Sequence, residues 1–296
     1  MRDAIALDTT VGVLVEQVTT VLTKAGIAEA GVEARDIVAV AAEQGRFWPR
    51  LHTHEFLDAS VVTRAREAAS RRATGMPFAY AVGRAAFRHL TLRVDERVLI
   101  PRQETEVLID LVLSHRPEPG GVVADVGTGS GAIALALAVE GKFDRVIATD
   151  VDAGAISVAR ANAAALTPGP RPQAPGPRIE FRLGNLLAPL AGERLDVLVS
   201  NPPYIAFHEA AELPALVRDW EPSHALFSGG NGLDASRQII HGASALLSSG
   251  GLLALEVDSR RAIDVTELVA SNGAFTNVQL YQDLMGRDRF VLAIRA

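Results

Sequence analysis

Apolar positions along this chain repeat with two different periods, and the switch between them divides it. From residue 11 to about residue 80 the period is helical. Val11, Leu14, Val15, Val18, Val21 and Leu22 form one stripe over 11–25, closed by Gly26. Ile37, Val40 and Ala41 form a second over 33–44, stopping at Gly45. A third helix is predicted from Asp58, as N-cap, to Ala73, before Gly75-Met76-Pro77. Then the period becomes two. Phe87, Leu90, Leu92, Val94 and Val98-Leu99-Ile100 predict a β-hairpin over 86–100, turning near Asp95-Glu96 and ended by Pro101. A helix over 104–114 turns Val107, Leu108, Leu111 and Val112 inward.

From Gly121 onward strands alternate with helices, which predicts a doubly wound α/β sheet. The strands are 122–126, 145–149, 179–183, 195–200 and 252–257. The helices begin at Ala132 or span 155–166, 236–247 and 263–271. The closing strands, 277–281 and 290–294, have only a loop between them and so pair antiparallel. The predicted domains are a helical unit over 1–82, a hairpin linker over 83–100 and an α/β domain over 101–296. Residues 167–177 hold five prolines in eleven positions, which excludes helix or central strand and predicts a surface loop.

Composition narrows the function classes. With 48% hydrophobic residues in 296, the chain fills a sizeable core. No apolar run approaches the ~18 residues that span a bilayer, and no secretory signal is expected. Cysteine is absent, which excludes disulfides and thiolate metal sites and fits a reducing compartment. The seven histidines are scattered without metal-ligand spacing, so no metal is expected. A net charge of −6 argues against a protein that grips nucleic acid unaided.

Chemistry is concentrated at two strand ends. Asn201-Pro202-Pro203-Tyr204 follows the strand 195–200. The pattern suits a planar, weakly nucleophilic NH2 group, because positive charge develops on its nitrogen during methylation. Fixed acceptors stabilise that charge without reorganising. The Asn201 side-chain oxygen and the Pro202 carbonyl are the candidate acceptors. Pro202 and Pro203 stiffen the loop, and Tyr204 offers a flat face to the substrate. The structural alternative is a rigid Pro-Pro turn. At the other strand end, Asp125-Val126-Gly127-Thr128-Gly129-Ser130-Gly131 leads into a helix. Its glycines permit close ligand approach, and the helix N-terminus attracts anions. Asp150 ends the next strand, placed to accept from ribose hydroxyls. Gly127, Gly129 and Ala132 also satisfy a loose dinucleotide pattern. The acid at Asp125 and the tetrad favour S-adenosylmethionine over a nicotinamide.

These motifs, in order, resemble the bacterial N5-glutamine methyltransferases that modify peptide-chain release factors. The likeness rests on Arg71-Arg72 with Gly75, Pro77, Tyr80, Gly83 and Phe87, and on Leu99-Ile100-Pro101-Arg102-Gln103-Glu104-Thr105-Glu106. It continues through the glycine loop, the tetrad, Glu221-Pro222, Gly229-Gly230-Asn231-Gly232-Leu233 and Gly286-Arg287-Asp288-Arg289. The resemblance implies a Rossmann-like class I methyltransferase sheet and a helical domain that docks the release factor. It implies methyl transfer from S-adenosylmethionine to the glutamine of a Gly-Gly-Gln loop. Asn201, Pro202 and Tyr204 would be catalytic, with Pro203 also against the substrate. Asp125, Gly127, Thr128, Gly129, Ser130, Gly131, Asp150, Asn185, Leu186 and Asn201 would hold the cofactor. A cytoplasmic monomer without stable nucleic-acid or membrane partners is expected. The chain departs from the family at Gln103, at Asn185-Leu186 near the adenine, and across 256–261. The competing readings are a DNA or RNA exocyclic-amine methyltransferase and a cofactor-binding relative without activity. Glu104 and Glu106 are read as favouring a helix start.

Overall fold

A computed structural model describes residues 9–116, 118–166 and 178–296. The proline-rich stretch 167–177 lies outside the described residues. The chain forms two compact units, Met1–Arg84 and Ala85–Ala296.

In the first unit the helical stripes become α1 (Val11–Lys24), α2 (Ala30–Ala41), α3 (Trp48–Leu51), α4 (Ala59–Ala73) and α5 (Phe78–Val82). Val11, Leu14, Val18 and Leu22 are buried against Ile37, Val38, Val62 and Ala65. Asp58 is the N-cap residue of α4, in extended backbone. The second helix begins earlier than its stripe suggests, and Val40 stays half-buried. The arginine pair at the end of α4 is structural. Arg72 forms an ion pair with Glu33 at 2.7 Å, and Arg71 Nη2 donates to the Ala81 carbonyl at 2.8 Å. The first ties α4 to α2, and the second ties α5 to α4.

The hairpin differs from its sequence prediction. Its strands are β1 (Arg84–Phe87) and β2 (Leu90–Arg93), so it turns at Arg88-His89 and not at Asp95-Glu96. Arg88 has φ +51, its N–H donates to Glu106 Oε1 at 3.0 Å, and its guanidinium meets Glu140 at 2.6 Å. Those bonds hold a left-handed turn that alternation alone does not reveal. Strand β2 ends at Arg93, so residues 98–100 lie outside the sheet, and Glu221 binds the chain at their end. Its carboxylate accepts from the Ile100 N–H at 3.2 Å and from Arg102 at 2.6 Å.

The second unit continues with α6 (Glu104–His115), β3 (Val122–Val126), α7 (Ala132–Glu140), β4 (Arg145–Asp150), α8 (Ala153–Ala165), β5 (Arg178–Leu183) and β6 (Leu195–Ser200). Two short strands follow, β7 (Ile205–Ala206) and β8 (Phe227–Ser228), with α9 (Ala215–Arg218) and α10 (Ser223–Leu226) between them. The chain ends with α11 (Gly229–Gly232), α12 (Asp234–Leu246), β9 (Leu247–Glu256), α13 (Ala262–Ser271), β10 (Phe275–Gln282) and β11 (Asp288–Arg295).

Seven strands form one sheet in the order β10-β11-β9-β6-β3-β4-β5. Only β11 runs against its neighbours. Strand side chains alternate between two cores, as pleating requires. Val123 faces the core with Leu108, Ile109 and Ile133. Ala124 and Val126 face the core with Ile239, Ala243 and Val265. Phe87, Leu90 and Leu92 of the hairpin belong to the first of these cores. The chain runs outward from β3 to β5 and returns through β6 on the other side of β3. That reversal opens a crevice at the C-terminal ends of β3 and β6, the usual ligand position in such sheets.

Candidate active site

Strand register brings the two chemical segments together. Val126 of β3 pairs with Ser200 of β6, so Gly127 and Asn201 are the next residues on adjacent strands. Ser200 Oγ donates to the Val126 carbonyl at 2.7 Å, fastening the two ends. Beyond that point a cavity of about 370 Å³ is lined by Gly127, Gly129, Asp150, Asn185, Leu186, Asn201 and Pro203. Leu99, His224 and Phe227 complete much of its wall. Its volume falls within the range of small-molecule sites.

The glycine turn is built around two carboxylates. Gly127 has φ +76 and Gly129 φ +54, and a Cβ on either would meet no atom within 4 Å. The turn is therefore open in front. The N–H groups of Gly127 and Thr128 both donate to the Thr149 carbonyl, at 2.9 and 2.8 Å. Asp150 accepts from the Gly129 N–H at 2.9 Å through one oxygen and from the Asp152 N–H at 3.0 Å through the other. Spare lone pairs on both oxygens remain available for hydroxyl donors. Asp125 lies behind the turn and is fully buried. Its Oδ2 accepts from Thr128 Oγ1 at 2.6 Å and from the Ala134 N–H at 3.1 Å, and its Oδ1 is without a partner. Burial pushes this carboxyl up to about 7, against those two bonds. Thr128, Ser130 and Gly131 likewise shape the turn from behind and do not line the cavity. Open glycines and a hydroxyl-accepting acid at the next strand end fit a nucleoside such as S-adenosylmethionine.

The tetrad is held from several sides. Asn201 Nδ2 donates to Thr105 Oγ1 at 3.2 Å, and Thr105 Oγ1 donates to Glu256 Oε2 at 2.7 Å. Arg289 Nη2 lies 3.0 Å from Glu256 Oε1 and 3.0 Å from the Tyr204 hydroxyl, with its guanidinium over the Tyr204 ring. Burial raises the Glu256 carboxyl above its usual range, opposed by Thr105 and Arg289. Burial also raises the Tyr204 hydroxyl. After the tetrad, Ile205 and Ala206 pair with Phe227 and Ser228, which carries the chain to Gly229 on the cavity wall. Gly232 packs directly on the Tyr204 carbonyl, where a Cβ would collide, and its φ is +86. Pro202 and Tyr204 do not line the cavity, whereas Asn201 and Pro203 do.

Residues 14–83 match the PrmC N-terminal domain, and residues 103–219 match the methyltransferase small domain. The release factor glutamine methyltransferase of Moorella thermoacetica is 42% identical over 277 residues, 93% of this chain and 94% of that protein. The chain belongs to the release factor glutamine methyltransferase family. Its counterpart in Cereibacter sphaeroides is 41% identical over 92% of this chain and 94% of that protein. In Mycolicibacterium smegmatis the figures are 36%, 95% and 96%. The hMettl16 catalytic domain in complex with MAT2A 3′UTR hairpin 1 shares the fold. It is 19% identical with a TM-score of 0.56, over 79% of this chain and 80% of that one.

The departures from the family motifs have local explanations. Gln103 stands where the resembled motif carries proline, and its φ of −64 is the angle proline would impose, so the exchange leaves the backbone in place. Asn185 and Leu186 both line the cavity. In 256–261, Arg261 Nη2 donates to Glu209 Oε2 at 2.7 Å and Arg261 Nε to the Asn231 carbonyl. That stretch ties the post-tetrad segment to the glycine-rich wall. Glu104 and Glu106 open α6, with Glu104 paired to Arg287 at 3.1 Å. Sequence reasoning missed Thr105, Glu256 and Arg289. Thr105 and Arg289 lie inside stretches that carry the resemblance and Glu256 opens the stretch that departs from it, but nothing in their spacing says they meet. Among the described residues no cluster of His, Asp or Glu is placed to hold a metal. No described helix is long and apolar enough to cross a membrane.

Proposed function

We propose that this protein methylates the side-chain amide nitrogen of the glutamine in the Gly-Gly-Gln loop of peptide-chain release factors, with S-adenosylmethionine as cofactor. The observation that carries this reading is the β3–β6 register, which sets Asn201 beside Gly127 in one cavity of a chain from this family. Bound there, S-adenosylmethionine supplies an electrophilic methyl group on a sulfonium sulfur. Gly127 and Gly129 receive the methionine end, Asp150 takes the ribose hydroxyls, and Asn185 and Leu186 border the adenine. Asp125, Thr128, Ser130 and Gly131 keep that turn in shape. Asn201 Oδ1 and the Pro202 carbonyl accept the two N–H groups of the substrate amide. Positive charge that grows on the attacking nitrogen is stabilised by these fixed dipoles. Pro203 and Tyr204 hold the plane of the amide.

Residues 1–82 serve as the docking domain for the release factor, with the hairpin as the link to the catalytic domain, 101–296. The enzyme works as a cytoplasmic monomer without a stable nucleic-acid partner. The test uses labelled S-adenosylmethionine with a release factor, the same factor carrying Gln→Ala in its Gly-Gly-Gln loop, duplex DNA and rRNA. Label on the intact factor alone supports the reading. Label on nucleic acid, or none on the factor while cofactor binds, overturns it.

A further inference from the structure

We propose that Thr105, Glu256 and Arg289 form a positioning relay that fixes which end of the Asn201 amide faces the substrate. The inference rests on the reading above, because it assigns the acceptor that a carboxamide NH2 requires. A threonine hydroxyl has one proton to give. Thr105 Oγ1 lies 2.7 Å from Glu256 Oε2 and 3.2 Å from Asn201 Nδ2. A carboxylate only accepts, so that proton is committed to Glu256. What Thr105 then offers Asn201 is a lone pair, and only the NH2 end of the amide satisfies it. Asn201 Oδ1 is left for the cavity.

The alternative orientation is the harmful one. An asparagine amide is nearly symmetric in shape, and a half turn about its last bond exchanges oxygen and nitrogen. With Nδ2 toward the substrate, two NH2 groups would face each other and the growing positive charge would meet a donor. Glu256 prevents that turn only while it is a carboxylate, and Arg289 serves that end. Its Nη2 lies 3.0 Å from Glu256 Oε1, and protonating Glu256 would leave a buried guanidinium uncompensated. The same nitrogen lies 3.0 Å from the Tyr204 hydroxyl. One buried carboxylate therefore governs both ends of the tetrad. Its parts come from the first turn of α6, the end of β9 and the strand β11, so the relay is assembled only in the folded sheet.

The test compares Thr105→Val, which keeps the shape and removes the hydroxyl, with Thr105→Ser, which restores it. Methylation kinetics are read with the release factor as substrate, together with the Kd for S-adenosylmethionine and the thermal midpoint. A selectively labelled asparagine side-chain NMR spectrum is recorded on each protein, with the Asn201 pair assigned by Asn201→Asp. The expected result for Thr105→Val is a fall in kcat of about 10- to 100-fold. The cofactor Kd stays within about threefold, because the glycine turn and Asp150 are untouched, while KM for the release factor rises as Asn201 Oδ1 ceases to accept from its amide. Thr105→Ser recovers most of the loss. The Asn201 NH2 resonances shift in the valine variant and return in the serine variant. Wild-type kcat in Thr105→Val overturns the relay. So does a loss that follows the midpoint and cofactor affinity and is not rescued by serine. If the wild-type protein leaves release factors unlabelled, the substrate assignment fails while the NMR comparison still decides the relay. An Asn201 signal indifferent to Thr105→Val refutes it.

Discussion

The buried carboxyl of Asp125 makes the stability of the cofactor-free protein depend on pH in a calculable way. Its ordinary value is 3.8, and in the folded protein burial pushes it to about 7. The sign follows from which state binds the proton more tightly. A group whose folded value is raised stabilises the fold below its unfolded value, and that contribution is lost as pH rises through the folded value. Here the loss extends from about pH 4 to about pH 7. Linkage with those two values gives a total near 4 kcal/mol, of which about 2.5 kcal/mol falls between pH 5 and pH 8. Full burial and the unpartnered Oδ1 justify a shift of this sign. Asp125→Asn removes the titration while keeping acceptors for Thr128 Oγ1 and the Ala134 N–H. Urea unfolding of the cofactor-free protein at pH 5, 6, 7 and 8, followed by circular dichroism, compares the two profiles. The wild type should lose about 2.5 kcal/mol more than Asp125→Asn across that range. The absolute stability of the variant is not the readout, because its amide NH2 meets the position where Oδ1 has no partner. Parallel profiles would refute the assignment of a raised carboxyl to this site.

Asn201→Ala removes a fixed acceptor and should lower kcat by about 10²- to 10³-fold, with cofactor affinity measured by calorimetry mostly retained. Unchanged turnover would take Asn201 out of the mechanism. Two glycine substitutions should separate binding from folding. Gly127→Ala has an open Cβ position and should cost only the strain of its φ of +76, about 1–2 kcal/mol in urea unfolding. Its methyl group intrudes on the cavity, so cofactor affinity should fall at least about tenfold by the same calorimetry. Gly232→Ala combines a φ of +86 with a collision on the Tyr204 carbonyl and should cost about 3 kcal/mol or more. A Gly232→Ala protein as stable as wild type would show that the wall can move away from the tetrad.

The sheet was legible because its signal is local. Short, mostly apolar, β-branched-rich runs such as 122–126 and 195–200, each set between helical stretches, read as buried strands, and their order in the chain leaves few topologies. Asn201 and the glycine turn were legible for the same reason, since each sits where a strand ends. The hairpin turn was not, because Arg88 reaches φ +51 through bonds to Glu106 and Glu140, residues from two later helices. Alternation continued through Val94 and Val98, and it hid the end of the strand at Arg93 and the binding of Ile100 and Arg102 by Glu221. The relay was illegible for a related reason. Thr105, Glu256 and Arg289 have ordinary neighbours in sequence, and their chemistry exists only when α6, β9 and β11 converge. Asp125 stood out as an acid before a glycine turn, yet its distance from the cavity wall depends on burial that spacing does not encode.

The rigidity of the tetrad has more sources than its prolines. Ser200 fastens its start to β3 through the Val126 carbonyl. Thr105 fastens Asn201, and Arg289 meets the Tyr204 hydroxyl. Gly232 presses on the Tyr204 carbonyl, while Arg261 joins Glu209, just beyond the tetrad, to the Asn231 carbonyl beside Gly232. The tetrad and the 229–232 wall therefore shift together or not at all. An acceptor set aimed at a nitrogen that becomes positive only in the transition state needs this. Dipoles free to reorient would spend part of their stabilisation on their own reorganisation. Seen this way, the unusual 256–261 stretch is a bracing element. It begins with the carboxylate that orients Asn201 and ends with the arginine that locks the opposite wall, so a single strand end sets both sides of the acceptor site.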